Sequence, residues 1–158
     1  MANIFALPDD AETLKLVGKI SIAHSQLDYV LRLTVKVILG IPLQEARNAT
    51  KRQASSQLRE RVGKLARKKL GECEELVRLD ALLTRAGDAT TKRNRLIHNI
   101  CYQNKDGKLL LKDDNSPAQK YPTVEDLRPL LKEIQEVAAD LNDARLGGFL
   151  AQALTRQQ

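Results

Sequence analysis

The sequence predicts an all-α protein: a four- to five-helix up-and-down bundle with a short β-hairpin after the third long helix. Three observations carry that expectation. Aromatic residues make up only 3% of the 158-residue chain and Trp is absent, so the core must be built from Leu, Val, Ile and Ala, a mix that favours helices over sheets. Apolar residues recur at intervals of three and four over long stretches, the repeat of a single helical face. Gly and Pro, which stop helices, separate those stretches. A chain of this length buries one sizeable core and is short for two, so residues 1–158 are read as one domain.

The first helix is expected from Asp10 to Leu39, where Leu16, Ile20, Ala23, Leu27, Val30, Val37 and Ile38 form one broad apolar face. Asp9 and Asp10 follow Pro8 and suit the N-cap and first turn; Gly40 followed by Pro42 ends the helix. A second helical region covers about Leu43 to Leu70, with Leu58, Val62 and Leu65 on its apolar side. Its polar portion, "NATKRQASSQ", holds a break or a mobile loop. In the third helix Leu76, Leu79, Leu83, Ala86, Thr90, Arg93, Ile97 and Ile100 step alternately by three and four, a stripe that faces a neighbouring helix or a partner chain. The stripe turns polar at Thr90 and Arg93, and a pattern that holds for several turns and then fails marks a functional site or a helix end.

Beyond His98 the period changes. "ICYQ" and "KLLLK" flank "NKDG", whose Asp106-Gly107 suits a tight turn, and a hairpin follows from that pattern. "DDNSPAQKYP" reads as loop. The last long helix begins near Thr123 or Asp126 and runs to about Ala144, with Leu127, Leu130, Leu131, Ile134, Val137, Ala138 and Leu141 inward and Pro129 in or near its first turn. Gly147-Gly148 breaks it, leaving the tail within residues 145–158 as a short helix or a frayed end.

No stretch reaches the roughly 18 apolar residues of a membrane-crossing helix, and "MANIFALPDD" lacks the basic and apolar regions of a secretory leader. Cys73 and Cys101 are the only cysteines. Joined mostly by one helix, they would lie about 40 Å apart at ~1.5 Å per residue, far beyond the about 7 Å that a disulfide spans. Both are expected as reduced thiols of a cytoplasmic protein. The net charge is +6, and the segment Arg47–Lys69 carries nine bases against the single acid Glu60, more than the whole positive excess. Such a segment is either a solvated helix face or an electrostatic footprint for a polyanion such as RNA.

The candidate chemistry sits in "KRNRLIHNICY", residues 92–102. On a helix Arg93 and His98 are about 140° apart, whereas Asn94 and His98 share a face. Asn94 is therefore expected to orient the imidazole while Arg93 reaches in from the side. The plainer reading makes His98, Arg93 and Arg95 ordinary bases favoured at a helix C-terminus. His24 lies beside Ala23 and Leu27 and reads as a half-buried, satisfied histidine or as a second catalytic one. No metal site or cofactor is expected, since His24, Cys73, His98 and Cys101 lack zinc-type spacing.

"RNRLIH", Arg93 to His98, resembles the R-x4-6-H motif of the HEPN superfamily in its R-N-x-x-x-H form. "GKISIAHSQLDYVLRLTVKVILGI" is similar to the first helix of many members, which often carry an acid where Asp28 stands, and the extended segment before "TVEDL" also recurs. Many relatives have Gly after the histidine; here Asn99 stands there, the next most suitable residue for a left-handed cap. The resemblance implies a metal-independent endoribonuclease, or a non-catalytic RNA- or protein-binding relative, of the kind found in toxin–antitoxin and anti-phage systems. Arg93, His98 and Asn94 would then form the catalytic group, with Asp28 holding Arg93 or His98 in place. Arg95, Arg61, Lys64 and Lys68 would bind the RNA. The expected partners are RNA, a second copy of the chain in a homodimer, and a cognate, nucleotidyltransferase-like antitoxin.

Overall fold

Asp10 opens the first helix. Its carboxylate accepts the Thr13 N–H at 2.7 Å, and the Thr13 hydroxyl together with that amide holds its carboxyl below the usual range. Gly40 closes the helix at φ 64°, the left-handed cap that a residue without Cβ adopts freely. In this computed structural model, which describes residues 4–113 and 115–157, the elements in chain order are β1 (Ile4–Phe5), α1 (Ala11–Leu39), α2 (Leu43–Thr50), α3 (Ser55–Leu70), α4 (Glu74–His98), β2 (Ile100–Gln103), β3 (Leu109–Lys112), β4 (Gln119–Lys120), α5 (Val124–Leu146) and α6 (Phe149–Thr155). The start of the opening stretch, one residue of the 113–122 loop and the last residue of the tail fall outside the described residues.

The protein is mostly helical, and α1 runs through its middle with α2, α3, α4 and α5 packed on it. Ile20, Leu27, Leu31 and Val35 of α1 meet Leu58 and Val62 of α3, Leu79 of α4, and Ile134 and Leu141 of α5 in a core with no solvent access at these side chains. Each such Leu or Ile contributes about 1.5–3 kcal/mol by leaving water. Val30 and Val37, expected inside, lie at the margin of this core, and Leu31 and Val35 take the centre. The α4 stripe Leu76, Leu79, Leu83, Ala86 and Thr90 is buried within the chain against its own neighbouring helices. Of the two readings of the stripe, the neighbouring helix is the one the structure shows. Arg85 adds a clamp from α4 to α5 through Glu133 at 2.9 Å and Asp140 at 2.7 Å.

The polar stretch after Thr50 does break the helix, but it is tied down. Arg32 donates to the carbonyls of Thr50 and Gln53, and Arg61 donates to the Ala49 carbonyl at 2.8 Å. Backbone oxygens that the helix end leaves without a partner are satisfied in this way.

The strands form one antiparallel sheet in the order β1-β2-β3-β4, wider than the hairpin that periodicity alone reveals. β1 and β4 have two residues each, too few to show alternation in sequence. In the β2–β3 turn, Gly107 at φ 76° donates to the Asn104 carbonyl, and Asn104 Oδ1 accepts from the amides of Asp106 and Lys108. Thr123 donates both its N–H and its hydroxyl to Asp126 at the start of α5. Pro129 sits in the second turn of that helix. Leu150, Ala153 and Leu154 of α6 are buried, so the tail is helical and packed rather than frayed. Among the described residues no helix is long and apolar enough to cross a membrane.

Candidate functional site

The last turn of α4 brings three of the expected residues together. Arg93 Nη1 donates to Asn94 Oδ1 at 3.0 Å and lies 3.2 Å from His98 Nε2. Arginine can only donate, so in this contact Nε2 of His98 accepts and its ring proton rests on Nδ1. The two N–H bonds of one Arg93 nitrogen thus serve Asn94 and His98 together. This differs from the expected arrangement, in which Asn94 oriented the imidazole directly. Azimuth on a helical wheel fixes where Cα atoms lie, and the long arginine stem crosses the turn regardless. Arg93 Nε is buried and has no partner among the described residues. An unpaired buried donor costs about 1–3 kcal/mol.

His98 is exposed, and Asn99 after it is extended at φ −78°, ψ 150°, not left-handed. The reason lies one residue on. Ile100 pairs with Lys112, so the chain passes straight from helix into strand and requires no glycine at the junction.

A second polar cluster joins α1, α3 and α4 below this turn. Thr90 gives its hydroxyl proton to the Ala86 carbonyl at 2.7 Å. Its oxygen can then only accept, from Arg59 Nη1 at 3.2 Å and from His24 Nε2 at 3.1 Å. His24 is 5% exposed, and burial, together with the charges of Arg93 and Arg59, pushes its pKa down against the opposing pull of Asp28. Asp28 accepts the Ser55 hydroxyl, and its second oxygen stands 3.8 Å from His24 Nδ1. The sequence suggested Arg93 or His98 as the partner of Asp28; the structure gives it Ser55 and His24. Ser55, His24 and Asp28 are the residue types of a hydrolytic triad, but the serine proton goes to the carboxylate and His24 Nε2 is occupied by Thr90. His24 Nε2 also lies 3.5 Å from the Ser55 oxygen, but with its proton given to Thr90 it offers that oxygen no lone pair. His24 is hydrogen-bonded, and more enclosed than the half-buried histidine of the first reading.

The basic segment is divided among several tasks. Arg59 turns inward, and burial lowers its pKa against the pull of Asp28 and Asp88. It lies across α4 at Gly87, where an added Cβ would stand 3.3 Å from its Nε. Arg61 is engaged with Ala49 and Gln53, Lys64 pairs with Glu60 at 2.5 Å, and Lys68 is exposed. Arg67, beside Lys68, bonds Asp80 at 2.9 Å, so the Lys68 end of α3 lies far along α4 from Arg93, about 20 Å at ~1.5 Å per residue. Arg95 is exposed one residue past Asn94. Arg59, Thr90, Ser55 and His24 carry no joint sequence signal, because their proximity depends on how three helices pack. Only the polar interruption at Thr90 marks the place. Among the described residues no group of three or more His, Cys, Asp or Glu side chains is placed to hold a metal ion.

No protein-family model, no curated protein and no solved structure matches this chain.

Proposed function

We propose that the protein is a metal-independent endoribonuclease of HEPN type, acting as a homodimer in the cytoplasm, in a toxin or anti-phage setting where a cognate nucleotidyltransferase-like antitoxin holds it in check. The observation that carries this reading is the Arg93 guanidinium resting on Asn94 and on the acceptor nitrogen of an exposed histidine, with Nε unpaired. RNA brings its own nucleophile, the 2′-hydroxyl, so a protein needs only a base, an acid and a cation for the charge that develops on phosphorus. A phosphate oxygen near Arg93 draws the guanidinium fork onto itself. That releases His98 Nε2, which takes the 2′-hydroxyl proton as the 2′-oxygen attacks phosphorus. A 2′,3′-cyclic phosphate forms, and the departing 5′-oxygen takes a proton from an acid on the opposite side.

One chain supplies one exposed histidine, because His24 is enclosed and committed to Thr90. The acid is then His98 of a second copy in its imidazolium form, which a two-fold interface supplies and which gives the departing oxygen its proton. Since the α4 stripe lies inside each chain, the contact between copies uses the exposed end of α4 and not its apolar length.

The same observation favours a second reading, a non-catalytic module that grips an RNA phosphate through Arg93 or binds a protein partner there. RNA cleavage in excess EDTA separates the two. The wild type is expected to cut, and His98→Ala to lose about 10²–10⁴ of the rate, the share a general acid–base residue supplies. Binding without cleavage in either form would leave the module.

A further inference from the structure

We infer that the outward face of the four-stranded sheet is a stacking surface for unpaired RNA bases beside the scissile phosphate; this rests on the ribonuclease reading. Residues directly opposed in antiparallel strands share a face. Phe5 opposes Tyr102, Tyr102 opposes Leu110, and Leu110 opposes Lys120; Ile100 opposes Lys112 on the same side. On the other face Leu111 is 6% exposed and Cys101 is half-buried. The outward face is open, with Phe5 82% and Ile100 49% exposed and both lysines exposed.

Two features identify the occupant. Side by side, Phe5 and Tyr102 present two aromatic rings, and Lys112 and Lys120 stand on the same face with no acidic residue at these six positions. Rings for base stacking and cations for the backbone are what single-stranded nucleic acid requires. A wholly apolar protein partner would leave the lysines without counter-charges. The face also follows the proposed site closely along the chain. Only Asn99 separates His98 from the first strand residue, and Tyr102 lies within about 13 Å of His98 at ~3.3 Å per residue. Phosphate held at Arg93 would leave the adjoining bases over Ile100 and Tyr102.

The test uses a short single-stranded DNA labelled for fluorescence anisotropy. It lacks the 2′-hydroxyl, so binding is measured apart from cleavage. Phe5→Leu and Tyr102→Val each keep an apolar strand residue and remove a ring, and each should weaken binding about tenfold with an unchanged salt dependence. Lys112→Gln and Lys120→Gln should each flatten the log–log salt slope by about 0.7. Ring variants that bind as tightly as the parent, or a parent that binds only duplex or phospholipid vesicles, would overturn the inference. Circular dichroism checks the fold, and should Tyr102→Val not fold, Phe5→Leu at the sheet edge decides alone. If RNA is never cut while the ring variants lose the DNA, the ribonuclease reading falls and the surface stands. If RNA is cut and the ring variants bind DNA like the parent, the surface falls and the reading stands.

Discussion

Arg93 and His24 illustrate how differently one polar side chain can be placed near another. Arg93 lies at the surface end of α4 with Asn94 and His98 on its Nη1, while its Nε is buried and unpaired. His24 is enclosed, and its single ring proton is committed to Thr90. Burial lowers the His24 pKa below its value in the unfolded chain, so below about 6.5 the unfolded state binds more protons than the folded one. The stability His24 confers is therefore complete above that pH and declines as pH falls through 6.5 toward the folded value. Chemical denaturation at pH 7 and pH 5.5 should show this decline in the wild type and a smaller one in His24→Gln. An equal decline in both would remove His24 from the account. At this scale the sequence revealed Arg93, Asn94 and His98, because one helical turn brings them together. Ser55, Arg59 and Thr90 stayed hidden, because they meet only through packing between separate helices.

Helices whose ends carry chemical signals were legible nearly to the residue. Asp10 and Gly40 bracket α1, and Thr123 with Asp126 opens α5. Elements without such signals were not: β1 and β4 are two residues long and owe their existence to pairing with β2 and β3. The alternation of α4 was visible, but not which surface it served; that depends on the tertiary arrangement. For α3, charge counting gave a uniform basic segment, while the folded helix turns Arg59 inward, engages Arg61 and leaves Lys68 outside. Lys64 and Lys68, like Lys69, are exposed, and under the proposed function Lys64 and Lys68 meet RNA, since an exposed pair such as Lys64–Glu60 is worth at most about 1 kcal/mol and exchanges readily. Replacing both with Gln should lower the log–log salt slope of RNA binding by about 1.4, at ~0.7 per single-strand contact. Filter binding across a salt series reads this directly, and an unchanged slope would assign the two lysines to solubility.

At the scale of the whole molecule, one chain places a single exposed histidine beside a guanidinium, and in-line displacement at phosphorus calls for a base and an acid on opposite sides. A two-fold dimer meets that need with no further residue types. Mixing His98→Ala chains with wild type at a fixed total concentration should depress activity beyond dilution, because mixed dimers hold one histidine. A fall that tracks the wild-type fraction, or sedimentation as a monomer at assay concentration, would remove the second copy from the site. The mostly helical character and the place of Arg93–His98 at the end of the third long helix were legible in the sequence, since both follow from local periodicity. Which surface the stripe packs on was not, because only the tertiary arrangement shows that Leu76 to Thr90 are buried within one chain.

In the proposed reaction RNA supplies the nucleophile and the protein supplies Arg93 and His98. This is tested most directly with one RNA oligonucleotide cut at a mapped position, compared with the same strand carrying a single 2′-deoxy nucleotide at that position. Cleavage of the all-ribose strand in excess EDTA, a 2′,3′-cyclic phosphate on the upstream product and resistance of the deoxy strand are the predicted results. Equal cutting of both strands would mean that another nucleophile is at work, and would contradict the account.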